Sequence, residues 1–334
     1  MSDHIPLKFE SLPNELILEI FDYVNFHDLI KTFCHLNSRL KTIVFSSNLH
    51  LYILYPDDVQ NSISYQQFLL QFLHSQRYLS RLRLDSSQLT VNNHFINYSH
   101  IRSLIIDVPT VTIFNSLTPQ AFPRLEYLRL GYSSIRILPS ELFQNIFSNQ
   151  FLYLKRCSLN HINTQTLWSG SPMITSLSVC SDKPNIIIER VLIALENLRT
   201  FHLFLTLSNS SIKLNEQISF QHKHLQSFKL HMSGEWSLDK LDSLFFYIPT
   251  VKYLGVYSSY FDSNMTKFHW NFSRLATILQ NRLPKLIQFD CDLILVKDKF
   301  GDIIHHMPPF HSCFHRIEYE IYSENDAFIR IFTS

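Results

Sequence analysis

The chain has 334 residues, of which 46% are hydrophobic and 17% charged, and its formal net charge is +1. A mostly disordered chain needs the opposite balance, and a grip on nucleic acid or anionic lipid needs clustered excess Lys/Arg, so neither class is expected. The five glycines, Gly131, Gly170, Gly234, Gly255 and Gly301, lie far apart; dinucleotide fingerprints and P-loops need glycines close together, so no nucleotide cofactor is expected.

The first residues, MSDHIPLKFE, lack an apolar core behind a basic end, which predicts no signal peptide. No apolar run of about 18 residues is present, which predicts no membrane span. Five cysteines (Cys34, Cys157, Cys180, Cys291, Cys313) are scattered without a C-x-x-C pair. They read as reduced, buried thiols, and the expected location is the cytoplasm and/or the nucleus.

Residues 9–53 predict three short helices. Pro13 suits a first helical position, and Leu16, Ile17, Ile20, Phe21 and Val24 follow at helical spacing over about 12 residues. Asp28 can cap a second helix carrying Leu29, Phe33 and Leu36. Asn37 or Ser38 can cap a third carrying Leu40, Ile43 and Val44. Three such helices bury little surface alone, so this unit should lean on the rest of the chain or on a partner.

The segment resembles an F-box, through Leu12-Pro13, Glu15, Leu16-Ile17, Ile20-Phe21, Asp28-Leu29 and Asn37-Ser38-Arg39-Leu40. It departs from that pattern at Val24, where Leu is usual, at Leu40, where an aromatic often sits, and near Leu51, where no Trp closes the box. The resemblance implies docking onto a Skp-type adaptor of a cullin ubiquitin ligase through Leu12, Pro13, Leu16, Ile17, Ile20 and Leu29. From the residues alone, an unrelated three-helix cap remains the other reading.

Residues 54–78 read as a connecting helix or cap. Residues 79–334 repeat one phrase, apolar at positions 0, 3 and 5. The anchors are Leu79, Ile101, Leu125, Asn149, Ile174, Leu198, Leu225, Val251, Leu286 and Phe314, with a mean interval of about 26 residues. Twenty-nine of the thirty template positions are apolar, Asn149 being the exception. Even spacing in this range predicts a leucine-rich-repeat solenoid of about ten irregular repeats. The fold class is α/β: an N-terminal three-helix box followed by a horseshoe with one curved parallel sheet and outer helices. Pro123, Pro172, Pro249 and Pro284 stand two residues before their anchors, where each should end a helix and launch a strand. Helical patterns precede the first, sixth, eighth and ninth anchors at Phe68-Leu69-Phe72-Leu73, Val191-Leu192-Leu195, Leu241-Leu244-Phe245 and Leu275-Ile278-Leu279.

If positions 3 and 5 point inward, positions 2, 4 and 6 line the concave face. That face runs from basic and aromatic, through neutral, to acidic. Tyr and Arg anchor interfaces, so the partner-binding set is Arg81, Arg83, Tyr127, Arg129, Phe151, Tyr153, Tyr253 and Tyr257; binding through the rims is the alternative. The run HHMPPFHSCFH places His305, His306, His311, Cys313 and His315 together, but Pro308-Pro309 splits it and no paired C-x-x-C supports it, so no metal is expected. Asp290/Asp292 and Glu318/Glu320 read as a solvated acidic face rather than acid–base pairs. No hydrolase or protease motif occurs. The F-box resemblance, together with the repeats, implies a non-catalytic receptor that joins a Skp-type adaptor and cullin ligase core to a protein substrate, with a free-standing repeat scaffold as the alternative.

Overall fold

The computed structural model describes residues 9–21, 23–24, 32–33, 36–46, 51–53, 81–84, 98–109, 111–131, 139–161, 168–181, 190–205, 220–232, 236–258, 272–296, 317–321 and 328–333. The chain forms two compact units, one of residues 1–142 with 150–154 and one of 143–149 with 155–334. Among the described residues no helix is long and apolar enough to cross a membrane.

In the first unit a 3-10 turn (Phe9–Ser11) leads into α1 (Asn14–Phe21) and α2 (Ser38–Ser46). The strands β1 (Leu51–Ile53), β2 (Arg81–Leu84), β3 (Ser103–Ile106) and β4 (Tyr127–Leu130) pair in that order, all parallel. The short helix α3 (Val111–Ser116) lies between β3 and β4 in sequence, and α4 (Ser140–Phe147) follows β4. Residues 51–53, the last of the stretch expected to form the box, make a parallel strand in register Leu51 to Leu82.

The second unit carries β5 (Arg156–His161), β6 (Ser176–Ser181), β7 (Thr200–Leu205), β8 (Ser227–Met232), α5 (Leu238–Phe246), β9 (Tyr253–Ser258), α6 (Phe272–Arg282), β10 (Gln288–Val296), β11 (Ile317–Ile321) and β12 (Phe328–Thr333). Strands β5 to β10 run parallel in sequence order. One strand per repeat in a mostly parallel sheet is consistent with a curved repeat fold. β12 then pairs antiparallel with β10, and β11 antiparallel with β12. The tenth parallel repeat is therefore corrected to an antiparallel pair that ends the sheet. β12 takes the place beside β10, and β11 lies outermost.

Seven strands, β3 to β7, β9 and β10, are launched by the same local device. The anchor N–H donates to the carbonyl three residues earlier at Ile101, Leu125, Leu154, Ile174, Leu198, Val251 and Leu286, with N···O distances of 3.0–3.3 Å. This is a β-turn, and Pro123, Pro172, Pro249 and Pro284 occupy its second position, where a fixed φ suits the turn and no N–H is wanted. Two N–H groups from the following repeat then share the carbonyl next to the anchor. Arg199 and Thr200 both donate to Thr175, Gln226 and Ser227 to Arg199, and Lys252 and Tyr253 to Gln226. Register passes from strand to strand through these shared carbonyls. In the repeat anchored at Leu225 a side chain replaces the turn carbonyl: the Leu225 N–H donates to His222 Nδ1 at 3.0 Å.

The buried positions follow the 0, 3, 5 template. Leu128 and Leu130 are buried on β4, Leu177 and Val179 on β6, Phe201 and Leu203 on β7, Phe228 and Leu230 on β8, Leu254 and Val256 on β9, and Phe289 and Cys291 on β10. The helices expected before the eighth and ninth anchors are α5 and α6, which bury Leu241, Leu244 and Phe245, and Leu275, Ile278 and Leu279. Ser237 caps α5 by accepting from the Lys240 N–H. Residues 190–194 are helical, with Val191, Leu192 and Leu195 buried. The connecting segment 54–78, the anchor Leu79, the second box helix from Asp28 and the histidine-rich run 305–315 lie outside the described residues.

The fourth repeat departs from the sequence reading. Its anchor is Leu154, not Asn149: Leu154 is buried, its N–H closes the turn onto Phe151, and Cys157 and Leu159 fill positions 3 and 5. β5 starts at Arg156, and Cys157 pairs with Leu177. Asn149 follows α4 with φ of 57°, a left-handed residue that stops a helix rather than starting a strand.

Candidate functional site

Two surfaces carry the residues singled out by sequence, and the N-terminal one is the simpler. Helix α1 puts Ile17 and Phe21 inward, and both are buried. The ring of Phe33 sits 5.0 Å from Phe21 and 5.3 Å from Phe9, and Leu40 and Ile43 of α2 are also buried. The flank of α1 beside that buried stripe carries Leu16, 46% exposed, and Ile20, 37% exposed. Pro13, Leu16 and Ile20 are spaced three and four apart, which places them on one side of the helix. Pro13 is exposed and Leu12 half-buried.

The expected docking set therefore divides. Pro13, Leu16 and Ile20 face outward with Leu12 at the margin. Ile17 is corrected to a core residue, because its position one step from Leu16 turns it by about 100° into the box interior. Leu29 lies outside the described residues.

Arg39 on α2 holds this surface in place. Its guanidinium donates to the Leu12 carbonyl at 2.7 Å, to Asn14 Oδ1 at 2.7 and 3.2 Å, and to the Glu10 carbonyl. Asn37 adds a bond from Nδ2 to Glu10 Oε1 at 2.9 Å and caps α2 by accepting from the Leu40 N–H at 2.8 Å. One planar cation thus satisfies carbonyls at the start of α1 that have no helical partner. Arg39 was quoted in the sequence motif, but its role as a clamp was missed. The signal was a lone Arg among apolar positions, which spacing alone does not distinguish from a solvated residue.

The second surface is the exposed face of the strands. In the first unit Arg81 and Arg129 are exposed, and Arg83 and Tyr127 half-buried. Register aligns Arg83, Ile105 and Arg129 in one row and Arg81, Ser103 and Tyr127 in the next. β2, β3 and β4 therefore bring the four predicted residues together. Arg83 Nε donates to Asp107 Oδ2 at 2.5 Å. Gly131 admits no side chain, because a Cβ there would stand 2.1 Å from the Asp107 carbonyl oxygen.

Phe151 and Tyr153 are not on that face. Phe151 is buried as the turn acceptor, and Tyr153 is 52% exposed at the turn tip before β5. Their predicted placement fails with the register of the fourth repeat. Tyr253 and Tyr257 do lie on the exposed face of β9, in the second unit. There the rings of Phe204, His231 and Tyr257 stack across β7, β8 and β9. Burial, with Lys229 and His202 nearby, pushes the His231 pKa down to about 4. His231 is therefore neutral near pH 7 and adds no charge to the stack.

Asp292 is held by Arg330 through two bonds of 2.8 and 2.9 Å, as an ion pair on the strand face. Cys157, Cys180 and Cys291 are buried thiols outside any disulfide. Burial raises the Cys157 pKa well above the usual thiol range and, with Asp292 and Asp290 nearby, pushes Cys291 up to about 12, so neither is a thiolate near neutrality. Among the described residues no group of His, Cys, Asp and Glu could hold a metal ion.

No curated protein matches the chain. The F-box domain family matches residues 9–52, the stretch that contains α1, α2 and the Arg39 clamp, and this supports an F-box protein.

Proposed function

We propose that the chain is the substrate-recognition subunit of a Skp–cullin–F-box ubiquitin ligase. F-box domains bind Skp-type adaptors and are generally non-catalytic, and the family match at residues 9–52 is the observation that carries the reading. In it, residues 9–53 form the box, 54–78 connect, and 79–334 form a degenerate leucine-rich-repeat solenoid. Pro13, Leu16 and Ile20 supply the apolar contact with the adaptor, Leu12 contributes its edge, and Arg39 fixes the turn that presents them. A protein substrate is received on exposed strand faces, Arg81, Arg83, Tyr127 and Arg129 being the candidates in the first unit and Tyr253 and Tyr257 those in the second. The chain works in the cytoplasm or nucleus, contributes no catalytic group, and needs neither nucleic acid nor membrane. Co-expression with a Skp-type adaptor tests the reading: the two proteins should purify together as a stoichiometric complex. Separate elution under conditions where both are folded would favour a free-standing repeat scaffold.

A further inference from the structure

The exposed strand face of the second unit holds an aromatic ladder that its sequence did not advertise. Phe204 pairs in register with His231, and His231 with Tyr257. The rings follow that register: Phe204 and His231 centroids are 4.3 Å apart at 15°, and His231 and Tyr257 are 4.7 Å apart at 22°. Gly255 sets the last ring. A Cβ at Gly255 would lie 2.6 Å from a Tyr257 ring carbon and 2.7 Å from its hydroxyl, so the phenol lies down over the glycine. Tyr253, on the same strand face, is 46% exposed. These rings are ordered before any partner arrives, which lowers the entropy cost of binding.

The charge beside the ladder selects the occupant. Asp290 is in register with Gly255, and Asp292 with Tyr257; Phe332 and then Glu318 continue the Asp292 row. Asp292 is taken up by Arg330. Asp290 accepts from the Gln288 amide at 2.9 and 3.0 Å, and among the described residues it has no cationic partner. Glu318 is exposed. Beyond Gly255 on the other side stands Lys229, whose single charge opposes this excess from two strands away. Tyrosine faces next to an uncompensated carboxylate favour a lysine or arginine, which gains both cation–π and ionic attraction.

We propose that this face docks an extended basic segment of a partner protein, laid across β7 to β11. Its cation sits over Tyr253 and Tyr257 against Asp290, and an adjacent apolar side chain packs on Phe204. The six strands from β7 to β11 span roughly 24 Å, or about eight extended residues. The proposal rests on the substrate-receptor reading and gives the substrate its chemistry, but it does not use the box.

The test is selection of random displayed peptides on the full chain, with counter-selection on Asp290→Lys and Tyr253→Ala. Both replace exposed or half-exposed side chains, and circular dichroism checks their fold. Peptides that survive should be enriched in Lys/Arg beside apolar residues, and should bind each variant about tenfold or more weakly than the parent. Gly255→Val, which displaces the Tyr257 ring, should weaken them as well. Capture of a Skp-type adaptor should be unchanged in every variant, which separates this claim from the ligase reading. Acidic or neutral enrichment, no enrichment, equal binding to the variants, or self-association of the chain that Asp290→Lys abolishes would each overturn the proposal.

Discussion

The N-terminal box and the strand repeats solve opposite problems with similar residues. In the repeats, the large apolar side chains at template positions 3 and 5 are buried, whereas Leu152, Met173 and Ile287 are exposed at or beside the launching turns and Phe204 and Tyr253 on the strand face. Scattered exposure of that kind is ordinary. In the box, Leu16 and Ile20 are exposed four residues apart on one helix, over a core too small to cover them. The box leaves two large apolar side chains outside, whereas the repeats bury most of theirs against their neighbours and present hydroxyl, aromatic and charged groups outward. A docking helix is therefore found by which apolar residues stay outside, and a repeat face by what alternates with the apolar ones.

The sharpest way to break this comparison is a core change in the repeats. Leu203→Ala or Leu230→Ala, each removing a fully buried side chain, should cost about 2–5 kcal/mol in denaturant unfolding. Hydrogen exchange should show protection lost first around β6 to β9, because repeats contact chiefly their neighbours. A uniform loss that includes α1 and α2 would mean that the box and repeats unfold as one.

A smaller effect is expected at the clamp. Arg39→Ala removes the bonds to Leu12, Asn14 and Glu10 and should cost about 1–3 kcal/mol of local stability. Exchange should accelerate around residues 10–17 while β5 to β10 stay protected. Arg39→Lys should rescue little, since an ammonium cannot span three acceptors with a planar fork.

Acid should separate the regions further. His222 is buried with Nε2 2.9 Å from the Leu195 carbonyl and Nδ1 accepting from the Leu225 N–H, so the neutral ring is the one that fits. Burial lowers its pKa, as it does for His202 and His231. The unfolded chain then binds more protons between the lowered values and about 6.5, so the stabilisation is complete above about pH 6.5 and is lost as pH falls through that window. Asp242, whose pKa is lowered chiefly by hydrogen bonding to Arg282, acts in the same direction at lower pH: its contribution is present above the ordinary carboxylate value and disappears as acid protonates it. Thermal melts from pH 7.5 to pH 5 should show the midpoint falling, and His222→Gln should shrink that fall. A midpoint independent of pH would contradict the assigned ring contacts.

The smallest effect belongs to Arg83 and Asp107. The pair is close, but the Arg side chain is 42% exposed. A double-mutant cycle should give a coupling of about 1 kcal/mol or less, reduced further by salt.

Much of this organisation was legible because a strand repeat writes its register into its sequence. The 0, 3, 5 pattern located the cores of β6 to β10, and the prolines expected to end a helix and launch a strand do so at Pro249 and Pro284, after α5 and α6, whereas the turn position shared by all four had no counterpart in the pattern. The fourth repeat was misread because Leu152 and Leu154 imitate positions 3 and 5 of a register starting at Asn149. The true repeat uses Cys157 as a core residue, and counting leucines undervalues a thiol. The hydrogen bond from Leu154 to Phe151, which decides the register, has no sequence signature. The antiparallel end was hidden because β12 belongs to no phrase of the repeat. The aromatic ladder is half visible in sequence: Tyr257 stands out among the outward positions, but Phe204 and His231 acquire meaning only when register stacks them and Gly255 lets the last ring lean over it. In the box, helical spacing found the apolar residues without telling inner from outer, so Ile17 was grouped with Leu16.

The central claim is that α1 offers Leu16 and Ile20 to a Skp-type adaptor, and quantitative capture of adaptor by the purified chain tests it most directly. Leu16→Asp places a charge in the proposed apolar contact, where burial is costly, while Tyr153→Asp places the same charge on an exposed turn tip. The account predicts that Leu16→Asp abolishes capture with circular dichroism and melting unchanged, and that Tyr153→Asp captures adaptor like the parent chain. Undiminished capture by folded Leu16→Asp would contradict it.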